Sequence, residues 1–348
     1  LSKALALDPS MPEIHKALGD TLARLDRLDE AEKAYRSALS HNPKYTDALV
    51  GLGILFVRQN KLEAAAQTLD QAKASNPESP KVRLALSAVR ETEGKFPEAI
   101  QELEILPRQA WSPRIVVSLG RLYVRTGRFE DAVKMLGPFA KRFPNVAPVR
   151  YLLGHAQLGA NRPEQAIVEF QDVLKLASHN PLARYSLGTA YLRARRPREA
   201  LKACDAIATA MEKLPDYHLT VGRAYLTLGR WEDAVRAAQA AIRLAPQSPE
   251  PYGLLGMAYT SRGELQKAQE MYASALELDP EFVPAHMALG RIYDLEKKPE
   301  EALNEYEAAL KADPKHAPAI IAKVSILIQH KRVDEAITFT QSVLKNDP

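Results

Sequence analysis

The sequence predicts an all-α protein made of tandem helix pairs. Three observations lead to this class: a period of 34 residues, apolar residues at helical spacing within each period, and a proline near the end of most periods. Alanine marks the period in ten of ten registers, with a single step of 33, at Ala31, Ala65, Ala99, Ala132, Ala166, Ala200, Ala234, Ala268, Ala302 and Ala336. Without this period, 348 residues would suggest two or three globular domains; with it, they indicate one stack of small units.

Each unit is predicted to hold two antiparallel amphipathic helices and a short turn. In residues 12–45, Leu18 and Leu22 lie one turn apart on a first helix, and a second apolar series starts at Leu28 after a polar break. Pro43 ends the second helix, because the proline ring blocks helical continuation. Neither helix can bury its apolar face alone, so we expect neighbouring units to stack.

Small residues are expected where the two helices of a unit cross, because helix backbones approach closely only where side chains are minimal. Twelve residues before the repeated alanine, eight of ten units have glycine, and Ser87 and Val324 are the exceptions. The glycines are Gly19, Gly53, Gly120, Gly154, Gly188, Gly222, Gly256 and Gly290.

The period divides the chain into ten predicted units that form one continuous array. Their boundaries are 12–45, 46–79, 80–112, 113–146, 147–180, 181–214, 215–248, 249–282, 283–316 and 317–348. Residues 1–11 match the second half of a second helix, with Pro9 in the terminating position, so we expect the parent protein to extend at least in the N-terminal direction.

Two units depart from the pattern. The third is one residue short, and Pro107 is expected to lie inside its second helix. The fourth has Gly137 and Pro138 late in its second helix, and this pair is expected to bend or end that helix.

Composition and charge exclude several classes of protein. The net charge of +4 is too small to indicate nucleic-acid binding, and no apolar run approaches the ~18 residues of a membrane-spanning helix. The lone cysteine, Cys204, has no partner for an internal disulfide and replaces a packing aromatic, which predicts a buried, inert thiol. These residues contain no targeting segment, so the sequence does not distinguish a cytoplasmic from a periplasmic location.

We find no constellation of residues that would support catalysis, a cofactor or a metal. The glycines follow the repeat and do not form a phosphate-binding loop. The histidines fall at scattered positions without the paired spacing of a metal site, at His15, His41, His155, His179, His218, His286, His316 and His330. The sequence therefore predicts a protein that is not an enzyme.

The chain resembles the tetratricopeptide repeat family over its whole length. Leu-Gly-x-x-Tyr runs carry the resemblance, at Leu119-Gly120 with Tyr123, Leu187-Gly188 with Tyr191, Leu255-Gly256 with Tyr259, and Leu289-Gly290 with Tyr293. The alanine, aromatic and proline positions behind them complete the pattern. The resemblance implies a right-handed superhelical solenoid whose first helices line a concave groove that binds peptides or proteins.

The resemblance also implies that the second, fifth, ninth, twelfth, thirteenth and sixteenth positions of each unit face the groove. In units four to seven these positions interleave arginine with apolar and tyrosine side chains, and Asp216 is the one acidic residue among them. Arginine pairs with carboxylates, so we expect an amphipathic partner with acidic residues, unless the arginines only form a solvated surface. The candidate groove residues are Val117, Arg121, Val124, Arg125, Tyr151, His155, Leu158, Tyr185, Leu192, Arg193, Leu219, Arg223 and Leu226.

The resulting hypothesis is a non-catalytic scaffold that binds a partner protein or peptide in this groove, within a bacterial multi-protein assembly. The bacterial source is inferred only from the arginine- and alanine-rich style of the sequence. Two alternatives stay open: a substrate-recruiting segment of a larger enzyme or exopolysaccharide-export protein, and a groove for an anionic polymer. The apolar first helix of the tenth unit, with Ile321 and Ile328 at groove positions, also suggests end-to-end self-association, although ordinary core packing would explain it too.

Overall fold

Paired α-helices make up the described part of the chain, residues 10–346 of a computed structural model. These residues hold 21 α-helices and one 3₁₀ turn, and no strand. The predicted all-α class with its repeated helix pair is therefore confirmed. The predicted half-helix over residues 1–11 lies outside the described residues, except for Ser10 and Met11, which precede the first helix.

Each pair begins with a first helix of 13 residues, and most second helices have 14. In chain order the helices are α1 Pro12–Arg24, α2 Leu28–His41, α3 Thr46–Arg58, α4 Leu62–Ser75, α5 Pro80–Thr92, α6 Phe96–Glu104, α7 Pro113–Arg125, α8 Phe129–Arg142, α9 Ala147–Gly159, α10 Pro163–Leu176, α11 Pro181–Arg193, α12 Pro197–Asp205, α13 Ala208–Met211, α14 Pro215–Thr227, α15 Trp231–Leu244, α16 Pro249–Ser261, α17 Leu265–Leu278, α18 Val283–Leu295, α19 Pro299–Ala312, α20 Ala317–Gln329 and α21 Val333–Asn346.

A residue in the left-handed conformation follows the first helix of every described pair. The N–H of the next residue then bonds to a carbonyl five residues earlier, as from Arg27 to Leu22 at 3.0 Å, which ends the helix and reverses the chain. The left-handed residues are Asp26, Asn60, Gly94, Gly127, Asn161, Arg195, Gly229, Gly263, Lys297 and Lys331. Six of the ten are not glycine, so the fold accepts local backbone strain at these turns.

The two helices of a pair cross at the repeated small residues. A Cβ added to Gly154 would lie 2.6 Å from the Phe170 ring, and one added to Gly290 would lie 2.5 Å from Tyr306, so in these two pairs a second-helix aromatic covers the first-helix glycine. In the third pair Ser87 replaces the glycine, and its buried hydroxyl donates to the carbonyl of Ala99 at 2.8 Å.

The described helices group into two compact units, one ending at Ser178 and the other beginning at His179. In both units each first helix packs against its own second helix, and all first helices except α20 also pack against a first helix of a neighbouring pair. The first helices of the pairs begin at residues 12, 46, 80, 113, 147, 181, 215, 249, 283 and 317. Division of the whole chain into one continuous array stays a prediction.

The structure shows how the two irregular second helices accommodate their prolines. Pro107 does not lie inside a helix, because α6 already ends at Glu104 and the backbone before a proline disfavours the helical conformation. A 3₁₀ turn, Arg108–Ala110, follows instead. Pro138 does not end its helix: α8 continues through it to Arg142.

Candidate functional site: the inner helix face

The first helices form the inner face of each compact unit. Neighbouring first helices contact one another in both units, whereas neighbouring second helices mainly contact first helices. The first helices are therefore closer together than the second helices, and the side chains that they expose share one surface. We call this surface the inner face, formed in the unit ending at Ser178 by α1, α3, α5, α7 and α9, and in the other unit by α11, α14, α16 and α18.

Two arginines of α7 converge on one carboxylate of the neighbouring first helix. Arg121 lies 2.8 Å from a carboxylate oxygen of Glu91, and Arg125 lies 3.7 Å from the other. The Arg125 guanidinium also lies 4.5 Å from the centre of the Phe96 ring. The arginine side chains are 55% and 58% exposed and Glu91 only 14%, so two cations face solvent above one recessed anion.

Glu91 is a candidate site residue that the sequence pattern of units four to seven does not include. It occupies the twelfth position of the third unit, one of the positions that the family resemblance assigns to the groove. Its presence leaves this part of the inner face with one uncompensated positive charge. The geometry also holds both guanidinium groups in place before any ligand binds, which reduces the entropy lost when they pair with a second carboxylate.

Tyr151 and His155 on α9 form an aromatic group with Phe170 of α10. The Tyr151 and His155 rings are 4.6 Å apart, and His155 lies 5.1 Å from Phe170. Burial lowers the pKa of His155, so this histidine is neutral at pH 7 and adds no charge to the neighbouring arginines. The half-buried Tyr151 contributes apolar surface, while Leu158 is buried and offers little contact area.

The valines of α7 contribute less surface than their positions suggested. Val117 and Val124 are half-buried against the core that surrounds Leu119 and Leu122. The arginines therefore contribute most of the side-chain surface that α7 exposes on the inner face.

The unit beginning at His179 has its own arginine and tyrosine surface on α11 and α14. Arg193 and Arg223 are exposed, and Leu192 and Leu226 are half-buried. Leu219 is buried in the core with Leu254 and is therefore not available to a ligand.

Tyr185 joins α11 to α14. Its hydroxyl donates to the carbonyl of Asp216 at 3.0 Å and lies 3.1 Å from the Thr220 hydroxyl. Burial raises the pKa of Tyr185, so the phenol is uncharged at neutral pH. Its polar atom is already bonded within the protein, and a ligand would meet the ring.

A small cavity on the inner face lies outside the residues that sequence analysis singled out. It has a volume of about 260 Å³ and lies between α1 and α3. Lys16 and Asp20 form an ion pair of 2.6 Å at its edge, and Tyr35 donates to Asp20 at 2.8 Å. Ile54 is half exposed there. Lys16 and Asp20 at the edge of the cavity already pair with each other. We therefore expect a charged ligand to bind more weakly in this cavity than at the α7 arginines.

The described residues offer no assembled metal centre. No group of three or more histidine, cysteine or acidic side chains among residues 10–346 could hold a metal ion. Cys204 is buried, as predicted from its packing position, and burial raises the pKa of its thiol to about 12. None of the described helices is both long enough and apolar enough to cross a membrane.

These helix pairs, with a glycine at most crossings and exposed charge on the inner face, define a helical repeat protein. The sequence profile of the tetratricopeptide repeat family matches most of the chain, and the chain belongs to this family. The matched stretches are residues 1–48, 16–80, 50–112, 117–181, 151–217, 219–280, 254–317 and 295–348.

Individual relatives agree with this assignment. A TPR repeat-containing protein of Halalkalibacterium halodurans is 34% identical over 70 residues, which are 20% of this chain and 30% of that protein. The chain is similar in fold to a tetratricopeptide repeat protein from Parabacteroides merdae, with a TM-score of 0.56 and 14% identity over 81% of this chain and 98% of that one. It is also similar to the APC/C hetero-tetramer Cut9-Hcn1, with a TM-score of 0.55 and 16% identity over 97% of this chain and 74% of that one.

The fold is consistent with protein–protein interaction. Proteins of this repeat family are generally non-catalytic scaffolds. The matched relative is bacterial, in agreement with the source that the sequence style suggested.

Proposed function

We propose that this protein is a scaffold that captures an acidic, amphipathic segment of a partner protein on its inner face. The Arg121–Glu91–Arg125 arrangement carries the proposal, because it presents two guanidinium groups to solvent in fixed positions. Each guanidinium has five N–H donors, more than one recessed carboxylate can use. The remaining donors are free to pair with a carboxylate of the partner.

The apolar part of the partner segment would contact an aromatic side chain on the inner face of the unit that it binds. Tyr151 in one unit and Tyr185 in the other present rings whose surroundings fix their orientation. Large aromatic side chains contribute much of the binding energy at protein interfaces. An acidic segment with apolar side chains fits this combination better than a purely polar one.

We place this activity in a bacterial multi-protein assembly. The same inner face would serve equally as the recruiting segment of a larger enzyme or of an exopolysaccharide-export protein. The sequence of the parent protein on either side of these residues distinguishes these settings.

The test is capture of partners from the bacterial host with the wild-type chain and with Arg121→Glu/Arg193→Glu, followed by quantitative mass spectrometry. We expect partner recovery to fall at least about tenfold, because charge-assisted pairs are lost and repulsion replaces them. Arg121→Gln/Arg193→Gln separates loss of attraction from repulsion. Lys33→Glu/Arg243→Glu, which reverses two exposed charges on second helices, is the matched control and should retain the partner.

Unchanged recovery with both arginine double variants would reject the inner face as the binding surface. Salt dependence distinguishes an anionic polymer from a protein segment. A polymer that binds mainly through its charges loses affinity steeply between about 50 and 200 mM salt, whereas a segment that also contacts tyrosine retains more of its affinity.

Self-association through the tenth pair is a second part of the proposal. Ile321 and Ile328 on α20, and Ile337 and Leu344 on α21, are each exposed over half or more of their surface. Exposed apolar side chains on adjacent helices are the feature that stacks one repeat on the next. A second copy of this chain supplies the same type of surface.

A further inference from the structure

The irregular third pair opens a cleft beside the second helix α8, and none of the candidate inner-face residues lines it. The second helix α6 has nine residues where α4 and α8 have 14, so about 7.5 Å of helix is missing. The 3₁₀ turn replaces it and leaves a cleft of about 760 Å³ against α8. This volume lies within the range of sites that bind several side chains or a small ligand.

The floor of this outer cleft is apolar and aromatic. Trp111, Met135 and Phe139 are half-buried along it, and Phe143 is 37% exposed at one end. The Phe139 and Phe143 rings are 4.6 Å apart. The indole Nε1 of Trp111 donates to the carbonyl of Leu106 at 3.1 Å, which fixes the ring and leaves its face for contact.

The rim of the cleft is positively charged. Arg108 lies 6.0 Å from the Trp111 ring centre and Arg142 lies 5.3 Å from the Phe143 ring centre, so both cations are held beside the apolar floor. Lys134 is exposed on the same helix as Arg142. None of these three side chains forms an ion pair within the described part of the chain. Asp131, the one acidic residue lining the cleft, is paired with Arg128 at 2.7 Å.

We infer that this outer cleft is a second protein-binding site, which takes a short segment of another protein with an aromatic or aliphatic anchor flanked by acidic residues. The apolar floor receives the anchor, and the rim cations pair with the flanking carboxylates. Charge complementarity favours this occupant: three unpaired cations surround a floor that has no free acid. A nucleic acid fits less well, because its phosphates need a continuous track of cations and the rim has three.

The site is independent of the inner face proposed above, so the two can be tested separately. The probe is a phage-displayed library of random 12-residue peptides, selected on the wild-type chain and counter-selected on Lys134→Glu/Arg142→Glu. We expect the retained peptides to share one large apolar residue with two or more acidic neighbours. An absence of enriched peptides, or enriched peptides without acidic residues, overturns the proposal.

Fluorescence titration of the most enriched peptide then measures each variant. Lys134→Glu/Arg142→Glu and Phe143→Ser should weaken its binding at least about tenfold. Lys33→Glu/Lys141→Glu reverses two exposed charges that do not line the cleft and should change binding less than about twofold. Circular dichroism melting of all variants confirms that they fold.

Two further outcomes would overturn the proposal. If Arg121→Gln/Arg125→Gln weakens the peptide and the cleft variants do not, the peptide binds the inner face and the outer cleft is not its site. If a fluorescein-labelled single-stranded 12-nucleotide DNA binds the cleft more tightly than the peptide, the proposed occupant is wrong.

Discussion

The left-handed residue after each first helix allows a direct test of backbone strain. Gly263 has φ of +78°, and a Cβ added there would meet no atom within 4 Å. Gly263→Ala therefore changes the conformational preference of the backbone at this residue without changing any packing contact. A left-handed conformation costs an ordinary residue about 1–2 kcal/mol, and the lower entropy of unfolded alanine offsets about 0.4–1 kcal/mol of this. We expect the free energy of unfolding to fall by about 1 kcal/mol.

Lys297 provides the reciprocal experiment at the next pair. Its φ is 59°, and its side chain is exposed and forms no ion pair in the described part of the chain. Lys297→Gly removes the strain without removing a contact, while the greater entropy of unfolded glycine opposes the gain. We expect the free energy of unfolding to rise by up to about 1 kcal/mol.

Urea unfolding followed by circular dichroism gives the overall change for each variant. Repeat arrays lose cooperativity as they lengthen, so amide hydrogen exchange provides the local measurement. The N–H of Glu264 bonds to the carbonyl of Tyr259 at 3.0 Å, and the N–H of Lys298 to that of Tyr293 at 2.9 Å. Protection should fall at the first amide in Gly263→Ala and rise at the second in Lys297→Gly.

Gly263→Asn is the matched control, because asparagine tolerates the left-handed conformation better than alanine and should lose less stability. If Gly263→Ala is neutral, or if Gly263→Ala and Lys297→Gly destabilise the protein to the same extent, backbone strain at these turns does not limit stability.

Four further perturbations have defined outcomes. The Glu305 carboxylate, 2.7 Å from His286, raises the pKa of this buried histidine. The stability gained from this ion pair is complete below about pH 6.5 and is lost as the pH rises through the raised pKa. The free energy of unfolding in urea should therefore depend less on pH above pH 6 in His286→Gln than in the wild type. Ala166→Leu should lower the free energy of unfolding by roughly 1–3 kcal/mol through overpacking, because Ala166 is fully buried; a neutral result in thermal melting would contradict the assigned packing register. Native Cys204 should react with iodoacetamide far more slowly than the urea-unfolded chain, since it is buried with a raised pKa; equal rates measured by mass spectrometry would show that the thiol is accessible. Leu344→Lys should shift any dimer toward monomer in sedimentation velocity, and an unchanged dimer would place self-association on another surface.

The helix pairs could be predicted from the sequence because their signals are local and repeated ten times. A glycine twelve residues before an alanine has one structural reason, the crossing of two helices, and the Gly290 contact with Tyr306 has that geometry. Proline effects were harder to predict, because tertiary packing decides whether a helix tolerates the ring. Pro138 is accommodated within α8, whereas α6 ends before Pro107.

The candidate site was less predictable than the fold. Positional rules indicate which residues lie on first helices, but they do not give the depth of each side chain. Leu158 and Leu219 occupy groove positions and are nevertheless buried by neighbouring helices. Pairing across helices was also invisible, since Glu91 and Arg121 are 30 positions apart and meet only after two pairs stack.

The short α6 also changes how a partner can be positioned along the protein. Ten similar units offer a bound segment several nearly equivalent registers, so a ligand that recognises only the common pattern could shift by one unit at little cost. Among the described second helices, α6 and α12 both have nine residues, but the four-residue helix α13 follows α12, whereas the 3₁₀ turn and the cleft follow α6, so the two irregular pairs differ from each other and from the regular ones. A partner that binds at the cleft beside α6 would bind with one copy per chain and at one fixed position. This position would set the register of its contacts with the regular pairs.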